Sequence, residues 1–125
     1  MNDYANLEID CWQDSDELKW AVRNWAARVG VKVPQIYLRQ MSKKWASIST
    51  SGRLTLNSEL LVMPKLLGEF VIVHEILHII APNHGKVFKS FMFAYLPDWQ
   101  ERERRLRDLE RAKMASKAAK ENSIP

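Results

Sequence analysis

Four residues in one short stretch have the types and spacing to do chemistry. His74-Glu75-Ile76-Leu77-His78 places two imidazoles four residues apart with an acid between them. On a helix, positions i and i+4 share one face, so both rings can bind a single ion at ~2.0–2.1 Å. Glu75 projects at a neighbouring angle, where it reaches a water held in the ion's open position. A catalytic zinc takes a third protein ligand, and His84 lies six residues beyond His78. On a continuing helix it would be rotated ~240° away. Pro82 breaks the helix, Asn83 tolerates turns and Gly85 permits positive φ, so the chain is free to bring His84 back. All three histidines of the chain fall in this window.

The chemistry expected of such a centre is metal-assisted hydrolysis, with one Zn²⁺ per chain. The metal lowers the pKa of a bound water toward ~7 and polarises a carbonyl. Glu75 takes the water's proton as general base and returns it to the leaving amine. A partner for the developing oxyanion is expected among Tyr37, Tyr95 and an arginine. Asp98 and Glu69 are candidates to orient a ligand histidine through its second nitrogen. An alternative for the histidines is a packed, satisfied core. Against it, a glutamate flanked by Val73, Ile76 and Leu77 would be costly to bury without a partner, and a water-filled metal cleft relieves that cost.

These residues need a scaffold, and the periodicities outline one. Asp14 and Glu17 are spaced as a capping box ahead of Leu18, Val22, Trp25 and Val29, with Gly30 as the stop. This predicts a helix over about 15–29. Strands are expected over about 33–40, at Trp45 to Ser49 and at Arg53 to Asn57, the last two joined as a hairpin through Ser51-Gly52. Leu54 and Leu56 share one face. Pro64 opens a central helix, apolar nearly all round from Leu67 to Ile80, that Pro82 must end. Val87 to Tyr95 suggests another helix, stopped by Pro97, and a charged one follows over about 98–120. The fold class is α+β: a small antiparallel or mixed sheet packed on an N-terminal helix and the central histidine-bearing helix, with C-terminal helices after it. Residues 1–125 read as a single domain, with the catalytic core at about 31–100.

Composition narrows the setting. The chain has 125 residues, 46% of them hydrophobic, and a net charge of +4. This is an ordinary globular balance with room for a core. Cys11 has no cysteine to pair with, which fits a reducing compartment. Met1 to Asp10 lacks the basic start and apolar run of a signal segment, and Phe70 to Ala81 is too short to span a bilayer. A cytoplasmic protein without membrane contact is expected. From Gln100 to Glu121 there are eight basic and five acidic residues. The segment reads as a solvated helix with pairs such as Glu101–Arg105 and Glu103–Arg107, in preference to a nucleic-acid surface. The five tryptophans are scattered and read as packing residues, Trp45 excepted for the motif it belongs to.

Several motifs taken together resemble the YgjP-like metallopeptidases, relatives of the SprT-like and WLM groups. They are Arg39-Gln40-Met41-Ser42-Lys43-Lys44-Trp45-Ala46-Ser47, Gly52 to Asn57, Val73-His74-Glu75 to His78, Asn83-His84-Gly85-Lys86-Val87-Phe88, and Leu96-Pro97-Asp98-Trp99 with the Arg102 to Arg105 cluster. Ala46, Ile48 and Gly85 differ from the glycine, cysteine and serine usual there. The resemblance implies zinc on His74, His78 and His84, catalytic Glu75 and a minimal zincin fold acting on peptides or proteins. It also implies that an edge strand, Leu54 to Asn57 or Trp45 to Ser49, lines the cleft and pairs with extended substrate. SprT-like relatives act on DNA-bound proteins, so the alternative is a DNA-associated module. A metzincin shares the histidine spacing, but Ala81 stands where that group needs glycine.

Overall fold

The computed structural model describes residues 10–122. The reading of Met1 to Asp10 as lacking a signal segment lies, apart from Asp10, outside them. In chain order the elements are α1 (Ser15–Val29), β1 (Gln35–Arg39), β2 (Ala46–Ile48), β3 (Arg53–Asn57), a 3₁₀ turn (Ser58–Val62), α2 (Lys65–Leu77), α3 (Lys86–Tyr95) and α4 (Trp99–Asn122). The architecture is α+β with a mixed sheet, as expected.

Helix α1 begins where the Asp14 carboxylate accepts from the Glu17 N–H at 2.9 Å, and the Glu17 carboxylate accepts from Gln13 N–H. It ends at Gly30, in the left-handed region at φ 84°, whose N–H returns to the Ala26 carbonyl. That conformation favours a residue without Cβ. The stripe Leu18, Val22 and Trp25 is buried. It packs against α2 and joins one apolar cluster that includes Leu54 and Leu56 of β3. Such burial is worth roughly 1.5–3 kcal/mol per large side chain. Trp20 departs from the expectation that the tryptophans pack inside, being 66% exposed.

The sheet order is β1-β3-β2. Strands β2 and β3 form the expected hairpin, closed by Gly52 N–H donating to Ser49 C=O, with Gly52 at φ 87°. A Cβ there would sit 2.6 Å from the Lys32 carbonyl. Strand β1 pairs with β3 in parallel, so β2 and β1 are both edges and β3 is central.

Central helix α2 differs from its expected length. Pro64 is the residue before the helix, and α2 closes at Leu77, ahead of Pro82. Between them the N–H groups of His78, Ile79 and Ile80 bond three residues back, tightening the last turn to 3₁₀ geometry. Ile80 is consequently turned outward and exposed. Helix α4 crosses back onto α2 through Leu106, and through Arg102, only 8% exposed.

Candidate active site

The three histidines converge. His84 Nε2 lies 3.2 Å from His74 Nε2 and 3.0 Å from His78 Nε2. His74 sits on the last full turn of α2, and His78 caps that helix. His84 is reached through an irregular turn at 82–85, as the helix break suggested. Gly85 contributes differently from the expectation: its φ is −84°, an extended value open to any residue, and a Cβ there would meet open space. Phe88 of α3 packs on all three imidazoles, with ring centroids 4.8–5.2 Å away. It forms the apolar floor that holds the rings together. The sequence places Phe88 in its helix and in the motif running from Asn83 to Phe88; its position four residues after His84 was the signal that it reaches the rings.

Hydrogen bonding and burial favour a bare nitrogen on His78. His78 Nδ1 is 3.3 Å from the Ala81 carbonyl, the partner of an N–H, which leaves Nε2 as a lone pair. Burial, reinforced by the neighbouring His74, pushes the His78 pKa below its ordinary value and so favours the neutral ring. His74 Nδ1 faces Glu75 Oε1 at 3.5 Å. Three imidazole nitrogens around an ion at ~2.0–2.1 Å would stand about 3.3 Å apart in tetrahedral geometry. The two pairs made by His84, at 3.0 and 3.2 Å, fit, and all three ligand atoms lie within 4.8 Å of one another. These three are the group among the described residues that could hold a metal ion.

The histidines and Glu75 face a cavity of about 560 Å³. Its other wall is β2 with Lys44 and Trp45, and Phe70, Pro82 and Leu106 complete it. Of the two strand segments proposed to line the cleft, Trp45 to Ser49 is therefore the one that does. The hairpin register fixes which backbone groups it offers. Asn57 N–H donates to Trp45 C=O at 2.8 Å, and Ser49 N–H donates to Arg53 C=O at 3.0 Å. By the two-residue alternation, Trp45, Ser47 and Ser49 face β3, and the N–H and C=O groups of Ala46 and Ile48 point outward.

Other expected site residues lie elsewhere. Tyr37 is on β1, separated from β2 by β3 and stacked under Arg53; Tyr95 packs edge-on to Trp25. Neither lines the cleft. Asp98 and Glu69 orient no histidine. Both accept from Arg102, Asp98 Oδ1 from Nε at 2.9 Å and Glu69 Oε1 from a terminal nitrogen at 2.6 Å. A carboxylate pairs with a guanidinium more strongly than with a neutral imidazole. Arg102 also donates to Leu66 C=O, and Glu69 accepts from Trp25 Nε1. This network ties α1 and α4 to the first turns of α2, upstream of His74. Arg102→Ala should destabilise by about 2–3 kcal/mol, measured by urea denaturation, less than a fully buried pair because both acids reach solvent.

Asn57, 3% exposed, is a second positioning residue. Its side-chain amide donates to the carbonyls of Met41 and Lys44, and its oxygen accepts from Glu59 N–H. It thereby sets the loop that delivers β2 and Trp45 to the cleft. Asn57→Ala should cost about 1–3 kcal/mol in the same assay, and raise KM for any substrate paired to β2. Trp45 is fixed from the opposite side, its Nε1 donating to Glu110 at 2.6 Å with the Lys113 ammonium over its ring.

Residues 11–109 match the YgjP-like metallopeptidase domain. The chain belongs to the YgjP-like metallopeptidases. Membership in this family implies a metal centre, and the donor set just described suits one. Among solved structures, the YgjP-like chain is similar to the metallopeptidase zymogen abylysin from Pyrococcus abyssi. The TM-score is 0.63 at 20% identity, covering 71% of this chain and 90% of that one. At that identity the likeness concerns the fold. No curated protein matches the chain. No helix among the described residues of this YgjP-like protein is long and apolar enough to cross a membrane. The i,i+4 pairs Glu101–Arg105 and Glu103–Arg107 on α4 are formed, as the charge pattern predicts.

Proposed function

We propose that the chain is a zinc-dependent peptidase in which His74, His78 and His84 hold one Zn²⁺ and Glu75 is the general base. The observation that carries this reading is the convergence of three Nε2 atoms beside the Glu75 carboxylate on one cavity wall. Three neutral imidazoles with an open side suit zinc. When bound, the ion supplies an activated water and polarises the scissile carbonyl.

The chain's own residues do the rest. Val73, Ile76 and Leu77 are buried and fix the backbone around Glu75, so its carboxylate keeps its place in the cleft. There it accepts the water's proton and returns it to the leaving amine. The outward N–H and C=O groups of Ala46 and Ile48 pair with an extended peptide, adding a strand to the sheet. Phe88 packs on the three imidazoles, and the Ala81 carbonyl favours the His78 tautomer that points its Nε2 lone pair inward.

The test is a peptide-cleavage assay before and after chelation. Activity should vanish on stripping and return when about one equivalent of zinc per chain is added back. Full activity in the stripped protein would refute the reading.

A further inference from the structure

A second cavity, of about 840 Å³, opens between the 40–45 loop and α4. It shares Lys44 and Trp45 with the histidine cleft, so the two cavities adjoin at these residues, just ahead of β2. Its charge is uneven: Lys43, Lys44, Lys113 and Lys117 against Glu59 and Glu110, a surplus of two. Lys113 is paired with Glu59, and Glu110 holds Trp45. Lys43, Lys44 and Lys117 are exposed around the groove.

We infer that this groove is a substrate subsite selecting acidic side chains on the C-terminal side of the scissile bond. The inference rests on the peptidase reading and deepens it. A peptide pairing antiparallel with β2 runs opposite to the strand, so its C-terminal part passes Ala46 toward Lys44. Beyond Lys44 it enters the basic groove, where Trp45 offers an aromatic wall and the lysines offer counter-charges. A basic side chain there meets a surplus of like charge and is disfavoured. Each ammonium is solvent-exposed, so each contributes modestly and the preference builds from two or three of them.

The experiment is digestion of a randomised peptide library by the zinc-loaded chain, with product sequencing on both sides of every cut. Asp and Glu should be enriched about three- to tenfold on the C-terminal side, falling with added salt. In the Lys44→Glu/Lys117→Glu double variant, Lys and Arg should replace them. No acidic enrichment, enrichment only on the N-terminal side, or enrichment unchanged in the double variant would overturn the subsite. A second arm does not depend on cleavage. A fluorescein-labelled peptide with two glutamates should bind zinc-loaded Glu75→Gln more tightly than its lysine counterpart by the same factor, and lose that advantage in the charge-reversed background. If the library is not cut but this preference holds, the peptidase reading fails and takes the subsite with it, leaving the groove as a binding site for acidic peptides. If cutting occurs without the preference, the groove fails alone. Equal binding of both peptides, with a single-stranded oligonucleotide bound instead and released by the double variant, would assign the groove to nucleic acid and overturn the inference.

Discussion

Replacing Glu75 with glutamine is expected to lower kcat by about 10²- to 10⁴-fold while leaving the zinc content unchanged. Glutamine keeps the volume and a polar end group but accepts no proton at neutral pH. The distinction matters because Glu75 also lies 3.5 Å from His74 Nδ1. If its main role were to hold that imidazole, the variant would lose metal and activity together. A general base acts on the water, so only turnover should suffer, with KM little changed. Metal analysis alongside kinetics separates the two roles.

The second large effect is expected from His84→Ala. His84 is exposed and follows the helix break, and its ring contacts are with His74, His78 and one face of Phe88. Removing it should leave the urea stability of the chelated chain within about 0.5 kcal/mol. Zinc occupancy, by contrast, should fall to a small fraction of one per chain, and cleavage with it. Holding the ion stabilises the folded state by mass action. The zinc-dependent increment in Tm should therefore shrink in the variant although the stripped Tm values coincide. Equal increments in both proteins would remove His84 from the ligand set.

How much of this was legible from sequence varied with the range of the interactions involved. Most local signals held, Gly85 with its φ of −84° being an exception. Asp14, Gly30 and the Leu18–Val22–Trp25 stripe predict α1, and the i,i+4 histidines with Pro82 and His84 predict a common point of convergence. Serine and glycine at 51–52 predict the β2–β3 hairpin. Interactions between distant segments were not legible. The parallel placement of β1 against β3, which makes β2 the cleft-lining edge, depends on a crossover that no short pattern encodes. Arg102 looks like one more cation in a charged helix, yet it is buried against Glu69, thirty-three residues away. That pairing also explains why Glu69 and Asp98 are unavailable to the histidines. Trp45 and Glu110 are sixty-five residues apart. The early end of α2 was masked because Pro82 supplies an obvious stop, whereas the backbone tightens a turn sooner, at His78.

Zinc-edge X-ray absorption of the purified, zinc-loaded chain tests the central claim most directly. The account predicts nitrogen and oxygen donors only, at ~2.0–2.1 Å, with the multiple-scattering signature of three imidazoles, reduced to two in whatever zinc His84→Ala retains. A sulfur donor at ~2.3 Å, which would bring in Cys11, or an unchanged imidazole count in the variant would contradict it.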